Sequence, residues 1–267
     1  MQRVINEVRR LEAKYSRYRD DSLLSTINRI ADKGGMIEVD EETAGLLDYA
    51  AACFRESGGL FDITSGLLRR VWNFRDHQLP SETVLRQVLE HVGWEKLEWQ
   101  KPVLNFQHPG QEIDLGGAVK EYAADRVVSL CWEAGIEGGL VNLGGDIKII
   151  GPHPDGSPWR VGIQHPRNPD ALVKDLFLQR GGLASSGDYQ RCMVINGRRY
   201  GHILNPQTGW PVSHLASVSV IADYSIVAGS ACTIAMLKEK AGPQWLEQSG
   251  LAHLWVDVDG KLGGNLA

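Results

Sequence analysis

The sequence predicts an α+β fold of two closely joined lobes, with mixed or antiparallel sheets and flanking helices. Three observations carry that prediction. Helical periodicity dominates roughly the first hundred of the 267 residues. Short apolar runs punctuated by Gly, Asn and Asp crowd the remainder, and these strand-like runs group together rather than alternating with helices. No Pro/Ser-rich linker interrupts the chain, so 1–267 reads as a single domain, its helical first third (to about residue 100) continuous with a strand-rich remainder.

The elements follow in order. Val4, Ile5, Val8, Leu11 and Tyr15 recur at helical spacing and predict an amphipathic opening helix over 1–15. A second helix over 41–57 stops at Gly58-Gly59, and a third over 81–92 starts behind Pro80 and closes at Gly93. Residues 103–106 read as a strand, and 113–115 as another that leads into Gly116-Gly117 and a helix over 119–134, closed by Gly135. Two strands flank Gly144-Gly145 within 139–151, and 159–164, 173–178, 192–195, 199–204 and 217–221 read as further strands. Asn196-Gly197 is the strongest hairpin signal and Asp259-Gly260 the next. The Ser185–Tyr189 stretch, SSGDY, reads either as a turn or as clustered hydroxyls that meet a phosphate or ribose.

Composition narrows the function classes. The formal net charge is −5 and the basic residues are scattered, which excludes a nucleic-acid footprint; an anionic small ligand needs local positive groups. Cys53, Cys131, Cys192 and Cys232 show no C-x-x-C spacing and sit in apolar runs, as reduced, buried thiols do, so neither disulfides nor zinc are expected. There is no apolar run of membrane-spanning length and no signal-peptide core, so the expectation is a soluble, cytoplasmic chain, or a periplasmic one if a leader has been removed.

Several short motifs have two readings each. Gly116-Gly117 ahead of a helix forms either a phosphate cradle or a plain strand-to-helix turn. Lys120 stands in the first helical turn, where a cation opposes the helix dipole unless an anion binds nearby; otherwise it is an exposed helix lysine. Phe61 and Asp62 either cover and hydrogen-bond a planar ligand or are a core aromatic beside an N-capping carboxylate. His202 precedes the turn-forming NPQTG stretch, where it either ends a strand or acts on a substrate.

Taken in order, the stretches YRDDSLLSTIN (18–28), GLFDIT (59–64), DLGGAVKEYAAD (114–125), VNLGGD (141–146), ASSGDY (184–189) and HILNPQTGWPV (202–212) resemble the ApbE-type FAD:protein FMN transferase family. The resemblance spans residues 12–237. It implies an FAD cleft between the lobes, a Mg²⁺-assisted transfer of FMN to a Thr or Ser of an acceptor flavoprotein, and release of AMP. Position by position it implies FAD contacts at Tyr18, Leu60, Phe61, Asp62, Asp114, Lys120 and Ile203, a catalytic base at His202, and metal ligands at the Gly117 carbonyl and the Thr233 hydroxyl.

Three departures from the family pattern bear on function. The aspartate four residues before the metal-binding threonine is replaced by Gly229, a glycine usual after the motif lysine is replaced by Glu121, and the strand and methionine that usually precede the first helix have no counterpart. Mg²⁺ prefers at least one carboxylate, so the loss at 229 implies a weakened site and leaves open a non-catalytic FAD binder or a slow FAD pyrophosphatase. On this reading Gly229→Asp restores the ligand unless Gly229 holds a positive φ.

Overall fold

A computed structural model of the chain describes residues 2–74 and 78–267. Local chemistry accounts for most element boundaries. Helix α1 (Gln2–Tyr15) buries Leu11 and Tyr15. Ser22 caps α2 (Leu23–Ala31) by accepting from the Ser25 N–H, and β1 (Gly35–Glu38) follows. Asp40 caps α3 (Glu41–Ser57), which ends on Gly58 at φ 71°, a left-handed stop that glycine adopts without strain. Asp62 caps a 3₁₀ helix (Ile63–Arg70), and Ser81 caps α4 (Glu82–Leu89). Strands β2 (Leu97–Gln100) and β3 (Val103–Phe106) form a hairpin.

Beyond them lie α5 (Val119–Glu133), β4 (Gly139–Leu143), β5 (Asp146–Gly151), β6 (Trp159–His165), β7 (Asn168–Leu178) and β8 (Gly182–Gly187). The chain finishes with β9 (Cys192–Ile195), β10 (Arg198–Gly201), β11 (Leu215–Ala222), α6 (Ser225–Leu237), α7 (Gly242–Ser249), β12 (Ala252–Asp257) and β13 (Leu262–Gly263). Among the described residues no helix is long and apolar enough to cross a membrane.

These elements form two compact units, each discontinuous in sequence: one holds the stretch up to Arg10 with Ala118–Gln190 and Val212–Ala267, the other Leu11–Gly117 with Arg191–Pro211. The first is built on a six-stranded antiparallel sheet in the order β13-β12-β11-β8-β5-β4. Side chains alternate faces along β8. Leu183 joins Ile149, Leu254 and Val256 in a core closed by Val161, Ile163, Leu176 and Leu178 of the β6–β7 hairpin. Ser186, on the opposite face, meets Thr233 of α6 at 3.5 Å. The second unit carries the sheet β1-β3-β2 and the β9–β10 hairpin, with Leu67, Leu68, Trp72, Leu85, Met193 and Tyr200 among its core.

The structure corrects four sequence expectations. Residues 113–115 are extended but pair with no strand: the Asn28 amide holds both the N–H and the carbonyl of Ile113, and the Asp114 N–H reaches the Ile63 carbonyl, so side chain and loop replace a ladder. Residues 185–187 belong to the inner strand β8 rather than a turn. Small residues suit that place, because a Cβ on Gly187 would lie 3.0 Å from the Ala216 carbonyl oxygen. The strand expected over 199–204 stops at Gly201, and Leu204 keeps only a single bridge to Pro211. The four cysteines are thiols, but Cys192, in the two-stranded sheet, is only partly buried.

Candidate functional site

The unit comprising Leu11–Gly117 and Arg191–Pro211 holds eight of the expected site residues. The β9–β10 hairpin turns at Asn196 (φ 51°) and Gly197 (φ 77°), which supports the two-residue turn read from sequence. Its second strand delivers His202, half-buried, with Ile203 beside it. The loop that follows is held from within. Asn205 Oδ1 accepts from the N–H groups of Gln207 (2.9 Å) and Thr208 (3.2 Å), and the Gly209 N–H donates to the Asn205 carbonyl at 2.7 Å. Trp72, packed edge-on against Trp210, donates its indole N–H to the Gly209 carbonyl at 2.7 Å. His202 therefore enters a loop whose backbone is already ordered.

Asp62 behaves first as a structural carboxylate. Its Oδ1 accepts from the Thr64 N–H (2.8 Å) and hydroxyl (2.6 Å), and its Oδ2 accepts from the Trp94 N–H (3.0 Å). Burial raises its pKa above the ordinary value, although these hydrogen bonds pull the other way. A pocket opens beside it, lined by Phe54, Gly59, Gly93, Glu95 and Gln207 among others. Leu60 is half-buried, and Phe61 is buried with its ring 3.6 Å from the place a Cβ on Gly117 would take.

Tyr18 and Asp114 meet through a residue that sequence reading passed over. Arg17 pairs with Asp114 and donates to the Tyr18 hydroxyl at 3.0 Å. Tyr18 is otherwise well exposed, and the hydrogen bond from Arg17, helped by Arg191, holds its hydroxyl below the usual range. Arg69 pairs with buried Glu112, as does Arg70, yet burial and the neighbouring Arg17 charge push the Arg69 guanidinium below its ordinary value.

The other unit holds Lys120 and Thr233. Lys120 is neither a bare helix lysine nor unneutralised: its Nζ lies 2.5 Å from Asp146, a buried carboxylate at the start of β5. Burial opposes the Lys120 charge, but Asp146 more than offsets this and its pKa rises. Glu121, the next residue, is also buried. Burial first, then the charge of Asp146, lifts its pKa to about 8. Its Oε1 is 3.8 Å from Lys120 Nζ, while its Oε2 is buried with no hydrogen-bond partner among the described residues. Thr233 lies one helical turn beyond Gly229 on α6.

Glu121 and Asp146 were missed as site residues. The available signals were an acidic residue in the first turn of α5, directly after the motif lysine, and an aspartate directly after a glycine pair. Among the described residues no group of three or more His, Cys, Asp or Glu side chains is placed to hold a metal. Hydroxyl and carboxylate oxygens are nonetheless the donors a hard divalent cation takes, and an orphaned buried carboxylate oxygen fits one.

The chain has relatives of known description. The family model described as the ApbE family matches residues 1–255. Over 262 residues the chain is 29% identical to the FAD:protein FMN transferase of Haemophilus influenzae, covering 93% of this chain and 76% of that protein. Over 249 residues it is 30% identical to the protein of the same name from Chlamydia pneumoniae, covering 90% and 77%. Among solved structures it is similar to the ApbE protein from Thermotoga maritima, with a TM-score of 0.89, 31% identity and coverage of 98% and 87%. It is likewise similar to apo flavinyl transferase ApbE from Pseudomonas stutzeri, with a TM-score of 0.86, 29% identity and coverage of 98% and 83%.

Proposed function

The chain belongs to the ApbE family, and from that premise we propose that it transfers FMN from FAD to a Thr or Ser hydroxyl of an acceptor flavoprotein, releasing AMP. The observation that carries the reading is the extent of its likeness: relatives aligned over nine-tenths of the chain bear the name FAD:protein FMN transferase.

In the reaction the acceptor hydroxyl oxygen bonds to the FMN phosphorus while the bond from that phosphorus to the AMP oxygen breaks. His202 takes the hydroxyl proton, a task suited to an imidazole near neutral pH. The ordered 205–209 loop fixes the approach of that base. Tyr18, Leu60, Phe61, Asp62, Asp114 and Ile203 bind FAD, with Arg17 holding the Tyr18 and Asp114 side chains in place. Lys120 meets the ligand phosphate with its exposed end while Asp146 anchors it from behind. Mg²⁺, when bound, would offset negative charge on the pyrophosphate, held by the Thr233 hydroxyl and Gly117 carbonyl together with a carboxylate.

Incubation with FAD, Mg²⁺ and a flavin-acceptor domain, followed by intact mass measurement, tests this. The expected result is an FMN adduct on the acceptor and AMP in solution, with at least about a hundredfold slower transfer by His202→Ala at similar FAD affinity. Intact FAD after long incubation, or free FMN without adduct, while a competent relative works in parallel, overturns the reading.

A further inference from the structure

Gly229 lies inside α6 with helical backbone, not at positive φ. The space its missing side chain would occupy is filled. A Cβ built there would stand 2.7 Å from Glu121 Cγ and 2.9 Å from both Cδ and Oε1 of that residue. A carboxylate from α5 thus occupies the spot on α6 from which an aspartate side chain would otherwise start. The two departures that look unrelated in sequence, a glutamate at 121 and a glycine at 229, are in space a single exchange. The expectation that Gly229→Asp by itself restores a ligand is accordingly corrected, because no room remains for the new side chain while Glu121 is present.

Glu121 is 7% exposed, and among the described residues its Oε2 has no hydrogen-bond partner. A carboxyl oxygen left so in a protein interior is satisfied by a proton or by a cation, and a divalent cation beside Thr233 would displace the proton. Lys120 does not do so, since its Nζ sits against Asp146 and 3.8 Å from the other oxygen of Glu121. Thr233 follows Gly229 by one helical turn, on the same face. Among the described residues its hydroxyl meets the Ser186 hydroxyl, at the long distance of 3.5 Å.

We propose that Glu121 supplies the carboxylate ligand of the divalent cation, acting with the Thr233 hydroxyl in place of an aspartate at position 229. This deepens the transferase reading and rests on it for the identity of the ion. Binding of Mn²⁺ alone, followed through the spin-resonance signal of the free ion, tests it on the full chain without turnover. Glu121→Gln keeps the shape and removes the charge, and it should weaken Mn²⁺ binding about tenfold or more. Gly229→Asp alone should not tighten binding and should lower the melting temperature. The exchange Glu121→Gly with Gly229→Asp returns the carboxylate to α6 and should recover affinity to within about threefold of the unaltered chain.

FAD affinity in the presence of a chelator, with a thermal melt for each variant, shows whether the fold is kept. Glu121→Gln that melts cooperatively and binds Mn²⁺ as tightly as the unaltered chain overturns the proposal, as does an unaltered chain with no saturable Mn²⁺ binding. An adduct-forming enzyme whose Mn²⁺ affinity ignores Glu121 refutes this inference but not the transferase reading. Mn²⁺ binding through Glu121 without any adduct does the reverse.

Discussion

Asp62→Ala removes a carboxylate whose two oxygens hold three donors, and the structure allows its effect to be sized. The Thr64 N–H loses its cap, which is worth about 1 kcal/mol at a 3₁₀ or α-helix start. The Trp94 N–H and the Thr64 hydroxyl lose their acceptor in a largely buried setting, adding about 1–3 kcal/mol between them. Relief of the carboxylate's own burial returns about 1 kcal/mol. The net destabilisation is therefore about 1–3 kcal/mol, or a melt lowered by roughly 5 °C for a chain of this size. Asp62→Asn keeps an acceptor for Thr64 but turns an amide N–H₂ toward the Trp94 N–H, and it should lose about half as much. Thermal and urea melts followed by circular dichroism measure both. An alanine variant melting within about 1 °C of the unaltered chain would refute the view that Asp62 organises this segment.

Three further outcomes are expected. Because burial raises the Asp62 pKa above its ordinary 3.8, the folded state binds that proton more tightly than the unfolded one; stability therefore falls as pH climbs from about 4 through the raised value, and Asp62→Asn should flatten that part of a pH series of melts. Lys120→Met leaves Asp146 buried beside Glu121 without its cation; because the lysine end is partly in water the loss should be about 2–3 kcal/mol in urea, with Asp146→Asn in the same chain recovering much of it. Trp72→Phe orphans the Gly209 carbonyl, so stability should fall by about 1–3 kcal/mol and the rate of FMN transfer should drop more than FAD affinity does, since the loop that carries the change begins at His202.

Elements whose causes are local were legible from sequence. The α3 stop at Gly58, the Asn196-Gly197 turn and the α5 span all rest on residues that set their own backbone angles. Helix α2 was not read as an element, and β8 was taken for a turn. The Ser-rich β8 has turn composition, and it is a strand because β5, β11 and α6 close around its small side chains. The site divides in the same way. Ordered motifs point to His202, Phe61 and Lys120 as candidates, whereas the pairing of Lys120 with Asp146, the Arg17 bridge between Tyr18 and Asp114, and the meeting of Glu121 with Gly229 join residues 26, 97 and 108 positions apart. No periodicity or spacing rule reaches that far along a chain.

The chain passes between its two units after Arg10, Gly117, Gln190 and Pro211, so neither unit is a contiguous product of synthesis. When residue 117 leaves the ribosome, β1, β2 and β3 are present, but Trp72 and Leu85 still lack Met193, Tyr200 and Trp210, the partners that cover them. At about 5–20 residues per second those partners arrive roughly 5–20 s later, an interval in which the aromatic surface is open to chaperones and to other nascent chains. The six-stranded sheet waits longer, since β12 and β13 come last. Loss of Leu262 and Gly263 would strip β13 from β12 and leave that strand with an open edge.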